Sequence, residues 1–145
     1  MEFREPPHFE GEVILEEELE NSFHIKTPFI ERIFTALQTH QITLQEERIM
    51  KVRLCLDEAL MNAITHGNKE NQSKKIRTKL MMNASSWFIE IADDGEGFSL
   101  ADIPDSTSEE SWMMESGRGI LLMNTFTDRV FFYDRGTKVR LLYFR

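Results

Sequence analysis

The sequence predicts a two-layer α/β (α+β) sandwich: a mixed, mostly antiparallel sheet with its helices on one face. Three observations predict it. The elements run strand, two helices, two strands, a long irregular segment, helix, hairpin. The long βαβ alternation of a doubly wound parallel sheet is absent. The chain has 145 residues, enough for one domain with a real core and little room for two. The expected organisation is one domain over 1–145, with 1–10 a loose lead-in and 99–116 the irregular segment.

Each element has a local reason. Glu12 to Glu20 (EVILEEELE) is apolar at one end and acidic at the other, and reads as an edge strand whose acids face solvent. Thr27-Pro28 predicts a helix start, with Thr27 as cap and Pro28 in the first turn. That helix runs to about Gln41 and buries Ile30, Ile33, Phe34 and Leu37. Thr43 with Glu46 three residues on predicts a capping box for a second, longer helix. In it, apolar residues recur at Val52, Leu56, Ala59 and Ala63, and at Leu56, Leu60 and Ile64, which is helical spacing. His66-Gly67-Asn68 stops it, with Gly67 supplying the flexible position past its end. Lys74 to Met82 partly alternates and reads as a strand; Asn83-Ala84-Ser85 is a turn. Trp87 to Ala92 is the next strand, with Trp87, Ile89 and Ile91 on one side. Ile120 to about Phe126 is the third helix. Val130 to Tyr133 and Lys138 to Phe144 form a hairpin around Asp134-Arg135-Gly136.

Composition narrows the function classes. The chain is 41% hydrophobic, as folded globular proteins are. No apolar run approaches the roughly 20 residues that span a bilayer, so no membrane association is expected. MEFREPPHFE is charged and proline-bearing, unlike a secretory signal. The one cysteine, Cys55, permits no intrachain disulfide, which fits a reducing, cytoplasmic setting. It reads as a small core residue rather than a nucleophile. Four scattered histidines show no metal-ligand spacing. The net charge of −8 argues against nucleic acid, which wants a basic face. It does not exclude a nucleotide, whose phosphates backbone N–H groups, a helix N-terminus and Mg²⁺ can hold.

Three constellations carry chemistry. Glu58 and Asn62 lie four apart on one helical face, a carboxylate beside a carboxamide, suited to hard-cation or phosphate chemistry. Alone, E-x-x-x-N is also what any amphipathic helix with two solvated polar residues shows. Asp93-x-Gly95-x-Gly97 follows a strand; glycines let backbone approach a planar ligand, and a carboxylate there can accept from an exocyclic amine. The bland alternative is an acidic turn. Ser116-Gly117-Arg118-Gly119 lies at a helix N-terminus, where free N–H groups and the dipole favour an anion and Arg118 can add a charge-assisted contact. A Walker-type loop and a Rossmann fingerprint are both absent. In order, the three supply a metal ligand, a base-recognition carboxylate and a phosphate cradle, and the long segment between the last two reads as a lid.

With these residues in view, EALMNAITHGN resembles the N-box of the Bergerat-fold (GHKL) ATPases. IADDGEGF resembles their G1 box, and SGRGILLMNTFTDRV their G2 box. The resemblance covers roughly Thr27 to Phe144. Short length and the form NAITHGN are most similar to anti-sigma-factor serine/threonine kinases of bacterial partner-switching systems.

The resemblance implies ATP and Mg²⁺ as cofactors. Asn62 would ligate the Mg²⁺ that bridges the triphosphate, and Glu58 would be the general base. Asp93 would accept from the adenine amino group, with Gly95 in its box and Gly97 lining the pocket. Gly117, Arg118 and Gly119 would surround the phosphates; Thr137 would support adenine recognition through water; 99–116 would be the ATP lid. Trp112, Met113 and Met114 in the lid match no family role and read as lid packing. The implied partners are a small anti-anti-sigma antagonist of STAS type, phosphorylated on a hydroxyl, and a sigma factor held by sequestration; family members commonly form homodimers. The rivals are a non-catalytic ATP-dependent partner switch and a detached histidine-kinase catalytic domain. No phospho-accepting histidine helix is legible before Thr27, which speaks against a complete sensor kinase.

Overall fold

Strand β3 (Ser86–Asp93) is buried at every position but Glu90, which is half-buried. Apolar residues on both of its sides demand cover on both, so β3 takes the centre of the sheet. The structure, a computed structural model, describes residues 1–97 and 118–145, and of Arg118 only the backbone. The segment expected to be a lid, and Gly117 with it, lie outside the described residues.

Five strands pair antiparallel in the order β1-β2-β3-β5-β4: β1 Glu12–Glu20, β2 Lys75–Met82, β3, β5 Lys138–Phe144 and β4 Arg129–Tyr133. The edge position expected for β1 holds. Its acids also have partners in register: Glu16 lies opposite Lys79, Glu18 opposite Arg77 and Glu20 opposite Lys75. Opposite charges facing across strands favour this register over a slipped one.

Helices α1 (Lys26–Thr39), α2 (Glu46–Asn62) and α3 (Arg118–Phe126) bury their apolar stripes in one core with the sheet. Phe29, Ile30, Ile33 and Leu37 come from α1, and Val52, Cys55, Leu56, Ala59 and Leu60 from α2. They meet Trp87, Ile89, Ile91, Leu141 and Tyr143 from the sheet. The rings of Trp87 and Tyr143 stack with centroids 4.4 Å apart. Phe34, expected in the core, is only partly buried, and Phe29 takes the deeper place.

The helix ends differ from the capping patterns. A 3₁₀ turn, Phe23–Ile25, leads into α1, so the cap position falls on Ile25 and Thr27 lies within the first turn. Pro28 keeps its place in that turn, where a missing N–H costs nothing. Helix α1 stops at Thr39, and Gln41 takes a left-handed φ of 63°. The cap of α2 is Gln45 rather than Thr43, with no side-chain cap bond. Glu46 and Glu47 put negative charge on its positive end instead.

The end of α2 departs most. The α-helix proper ends at Asn62, and a π turn, Ala63–Gly67, carries the helical run to the expected stop, closed by Asn68 N–H to the Ala63 carbonyl at 2.8 Å. Positive φ comes later, at Lys69 (51°) and Glu70 (58°), and not at Gly67.

The lead-in is tied down rather than loose. Glu2 bridges β4 in parallel, donating to the Val130 carbonyl at 2.9 Å and accepting from Phe132 N–H at 2.8 Å. Phe3 stacks on Phe132, Arg4 lies over Phe131, and Phe9 packs edge-on against Phe88 on the helix-free face. Charge and proline hide the two phenylalanines of this segment, Phe3 and Phe9, whose partial burial repays ordering it.

Candidate functional site

The π turn, the end of β3 and the start of β5 converge on one cavity of about 160 Å³. Its apolar wall is made by Ala59 and Ala63 from α2 and the turn, Ile91 from β3, Met123 from α3, Phe132 from β4 and Val139 from β5. Asn62, Asp93, Gly97 and Thr137, four residues singled out from sequence, line it together. Lys69 and Glu96 line it too and are exposed.

Asp93 is the polar group at its base. The residue is 9% exposed, and its Oδ1 accepts from Gly95 N–H at 2.8 Å. Burial pushes its carboxyl above the usual aspartate range, and Asp94 beside it pushes the same way; the Gly95 bond, Lys74 and Arg77 oppose. A carboxylate with one oxygen bonded to Gly95 N–H, beside the apolar part of this wall, can accept from an amine on a planar heterocycle. Asp94 points elsewhere. It accepts from Lys75 N–H at 3.0 Å and from the Arg77 guanidinium, and the Arg77 bond holds its carboxyl below the usual range.

The glycines act through space as much as through flexibility. A Cβ on Gly67 would collide with the Asp93 carboxylate, and one on Gly95 with the Gly67 carbonyl. Gly97 combines a φ of +71° with the Arg135 carbonyl behind it, so the left-handed position and the close approach both require glycine. Gly95 itself is not among the lining residues; it backs the Gly67–Asp93 contact. Thr137 closes the turn after β4, in which Asp134, Arg135 and Gly136 all take positive φ. Its hydroxyl donates to the Asp134 carbonyl at 2.8 Å, its carbonyl accepts from Asp93 N–H at 2.9 Å, and its hydroxyl oxygen remains an acceptor.

Glu58 and Asn62, both half-buried on one face of α2, meet the start of α3 at Gly119. A Cβ on Gly119 would lie 2.6 Å from Glu58 Oε2 and 3.5 Å from Asn62 Nδ2. The carboxylate thus sits beside the cavity rather than in its wall, one turn from the carboxamide that is in it. Arg118 opens α3, but only its backbone is described. Among the described residues no group of three or more His, Cys, Asp or Glu side chains could hold a metal. Asn62 still fits Mg²⁺, which keeps several waters and takes only one or two protein oxygens beside phosphate.

Sequence reasoning missed Asn68. In sequence it reads as part of a helix stop, yet it is fully buried. Its Oδ1 accepts from Asp94 N–H at 2.7 Å, and its Nδ2 donates to Asn21 Oδ1 at 3.1 Å and the Lys75 carbonyl at 3.0 Å. The only available signal was an Asn after Gly, which turn chemistry explains equally well.

Residues 23–143 match the family profile described as the histidine kinase-like ATPase domain. Two curated relatives are both named Anti-sigma F factor, from Clostridium botulinum strains Eklund 17B (Type B) and Alaska E43 (Type E3). Each is 29% identical over 118 residues, covering 76% of this chain and 80% of the relative. Among the described residues no helix is long and apolar enough to cross a membrane.

Proposed function

Because this chain belongs to the histidine kinase-like ATPase domain family, we propose that it binds Mg-ATP and acts as an anti-sigma-factor serine/threonine kinase. It would phosphorylate a small anti-anti-sigma antagonist and sequester a sigma factor. The names of the two relatives support the sigma partner. The observation that carries the nucleotide reading is the buried Asp93 carboxylate in a cavity that pairs an apolar wall with Asn62 and Thr137.

In this reading Asp93 selects adenine, accepting from its amino group, and Thr137 supports it through water. Asn62 supplies the protein oxygen for Mg²⁺; the ion, when bound, neutralises charge on the phosphates. The amides at the start of α3, with Gly117, Arg118 and Gly119, cradle phosphate. Glu58 takes the proton from the attacking hydroxyl of the antagonist as that oxygen bonds to the γ-phosphorus and the bond to the ADP oxygen breaks. Positioning and charge do most of the work. The close approach of Gly119 to Glu58 supports this role, since it sets the carboxylate beside the amides assigned to phosphate.

The test has two parts. Calorimetry should show ATP binding in preference to GTP. Transfer of the labelled γ-phosphoryl group to a candidate antagonist should give an acid-stable phosphoserine or phosphothreonine. Binding without transfer would replace the kinase by a nucleotide-dependent partner switch, and an acid-labile product would indicate histidine transfer.

A further inference from the structure

Asn68 and Asn21 are buried asparagines outside the proposed chemistry, hydrogen-bonded to each other behind the nucleotide cavity. Asn68 uses every polar atom it has. Its amide donates to the Ala63 carbonyl and closes the π turn, and its own carbonyl accepts from Asn71 N–H at 2.9 Å. Both Nδ2 protons are taken, by Asn21 Oδ1 and the Lys75 carbonyl. Its Oδ1 accepts from Asp94 N–H. Asn21, at the end of β1, returns a bond from its Nδ2 to the Asn71 carbonyl at 3.1 Å.

The geometry of this network relates two ends of the cavity. Asn62 ends α2, at the phosphate end in the reading above. Asp93 and Gly95 form the base end. Between them the chain makes one π turn, and at its close two consecutive residues grip the segment 93–95. Gly67 leaves room for the Asp93 carboxylate and packs its carbonyl against Gly95. Asn68 holds Asp94 by the amide that lies between them. The base-recognising turn is therefore tied to the end of α2 by the packing of Gly67 and by one side-chain hydrogen bond, that of the Asn68 carboxamide.

We propose that Asn68 is a positioning residue for nucleotide recognition, setting the spacing between the Asp93 end and the Asn62 end of the cavity through its bond to Asp94 N–H. This rests on the nucleotide reading and deepens it. Asn21 serves the same carboxamide from the other side but touches nothing in the cavity wall, so it separates positioning from mere stability.

The experiment compares wild type, Asn68→Ala and Asn21→Ala in the full chain, measuring ATP and GTP dissociation constants by calorimetry and melting temperatures in parallel. Asn68→Ala should weaken ATP about tenfold or more, the usual effect of losing a buried hydrogen bond and orphaning its partner. GTP, which Asp93 does not recognise, should change little, so the ATP preference falls. Asn21→Ala should melt lower yet keep the wild-type ratio of ATP to GTP affinity. An Asn68→Ala protein that melts lower but keeps that ratio overturns the proposal. Wild type that binds no ATP overturns the nucleotide reading itself, and the proposal with it. Should Asn68→Ala fail to fold, amide exchange in wild type decides. Asp94 is exposed and lies past the end of β3, yet its N–H should exchange as slowly as that of Asp93. Exchange at the rate of an open loop overturns the proposal.

Discussion

Gly67 leaves open the space that the Asp93 carboxylate fills: a Cβ on Gly67 would come within 2.8 Å of Asp93 Oδ1 and closer still to Oδ2. The backbone does not need glycine here, because Gly67 is not among the positive-φ residues. In a helical turn alanine is normally favoured over glycine by about 1 kcal/mol. Gly67→Ala should nonetheless lower ATP affinity about tenfold or more, since the displaced carboxylate forfeits a charge-assisted hydrogen bond. Calorimetry checks this, and affinity equal to wild type would remove Gly67 from the site.

Asp93 should give opposite signs for stability and binding. Burial raises its folded carboxyl above the ordinary 3.8, so the folded chain binds this proton more tightly than the unfolded chain does. Its contribution is most favourable below pH 3.8 and is lost as pH rises through the raised value. Asp93→Asn removes the buried charge and should raise the melting temperature at pH 7 to 8, with the gain shrinking towards pH 4. The same substitution should weaken ATP by about 1.5–3 kcal/mol. In wild type, ATP affinity should fall on acidification, beginning above the pH at which an ordinary aspartate titrates. Paired melting curves and calorimetry across pH test both signs.

Glu58 and Asn62 share a helical face but should fail differently. Asn62→Ala should lose Mg-ATP affinity and phosphotransfer together. Glu58→Gln keeps the shape beside Gly119 and removes the basicity; ATP binding should survive while transfer to the antagonist falls about 10²–10⁴-fold. Transfer at the wild-type rate in Glu58→Gln would discard the general-base role. Loss of ATP affinity as severe as in Asn62→Ala would make Glu58 a structural or metal-site residue.

On the helix-free face Arg140 lies between Glu90 and Phe88. Its guanidinium donates twice to Glu90 Oε2, at 2.9 and 2.6 Å, and sits 3.9 Å from the Phe88 ring centroid. Both charged side chains are largely buried, 16% and 13% exposed, and Tyr133 donates its hydroxyl to the same Glu90 oxygen. Arg140→Ala should therefore cost about 3 kcal/mol or more in urea unfolding, because Glu90 is left as an uncompensated buried charge. ATP affinity should not change, since the cavity lies on the other side of the sheet.

Much of this fold is legible in the sequence where periodicity is strong. The stripe from Val52 to Ile64 and the alternation of Trp87, Ile89 and Ile91 lead directly to the core. Helix starts are legible only to within a turn: Thr27 and Thr43 have the chemistry of caps, but the 3₁₀ turn before α1 and the acids Glu46 and Glu47 move the starts elsewhere. Asn62, Asp93 and Gly97 are legible from their spacing along a helix and past a strand, and Thr137 only through the family resemblance; the fold brings all four to one cavity. Gly67 is needed for space rather than flexibility, a distinction the sequence does not carry. Asn68 was missed because its partners, Asn21 and Asp94, are distant in the chain and a single asparagine carries no period.

The parallel bridge of Glu2 with Phe131 also shields the sheet from self-association. It occupies backbone groups on the free edge of β4, while the opposite edge, β1, carries a row of glutamates that repels a like strand. A chain begun at Gly11, as the charged and proline-bearing start invites, would bare that edge together with Phe88, Phe131 and Phe132. Such a shortened protein should fold around the same core and yet aggregate, and added Lys or Glu on β4 should restore its solubility.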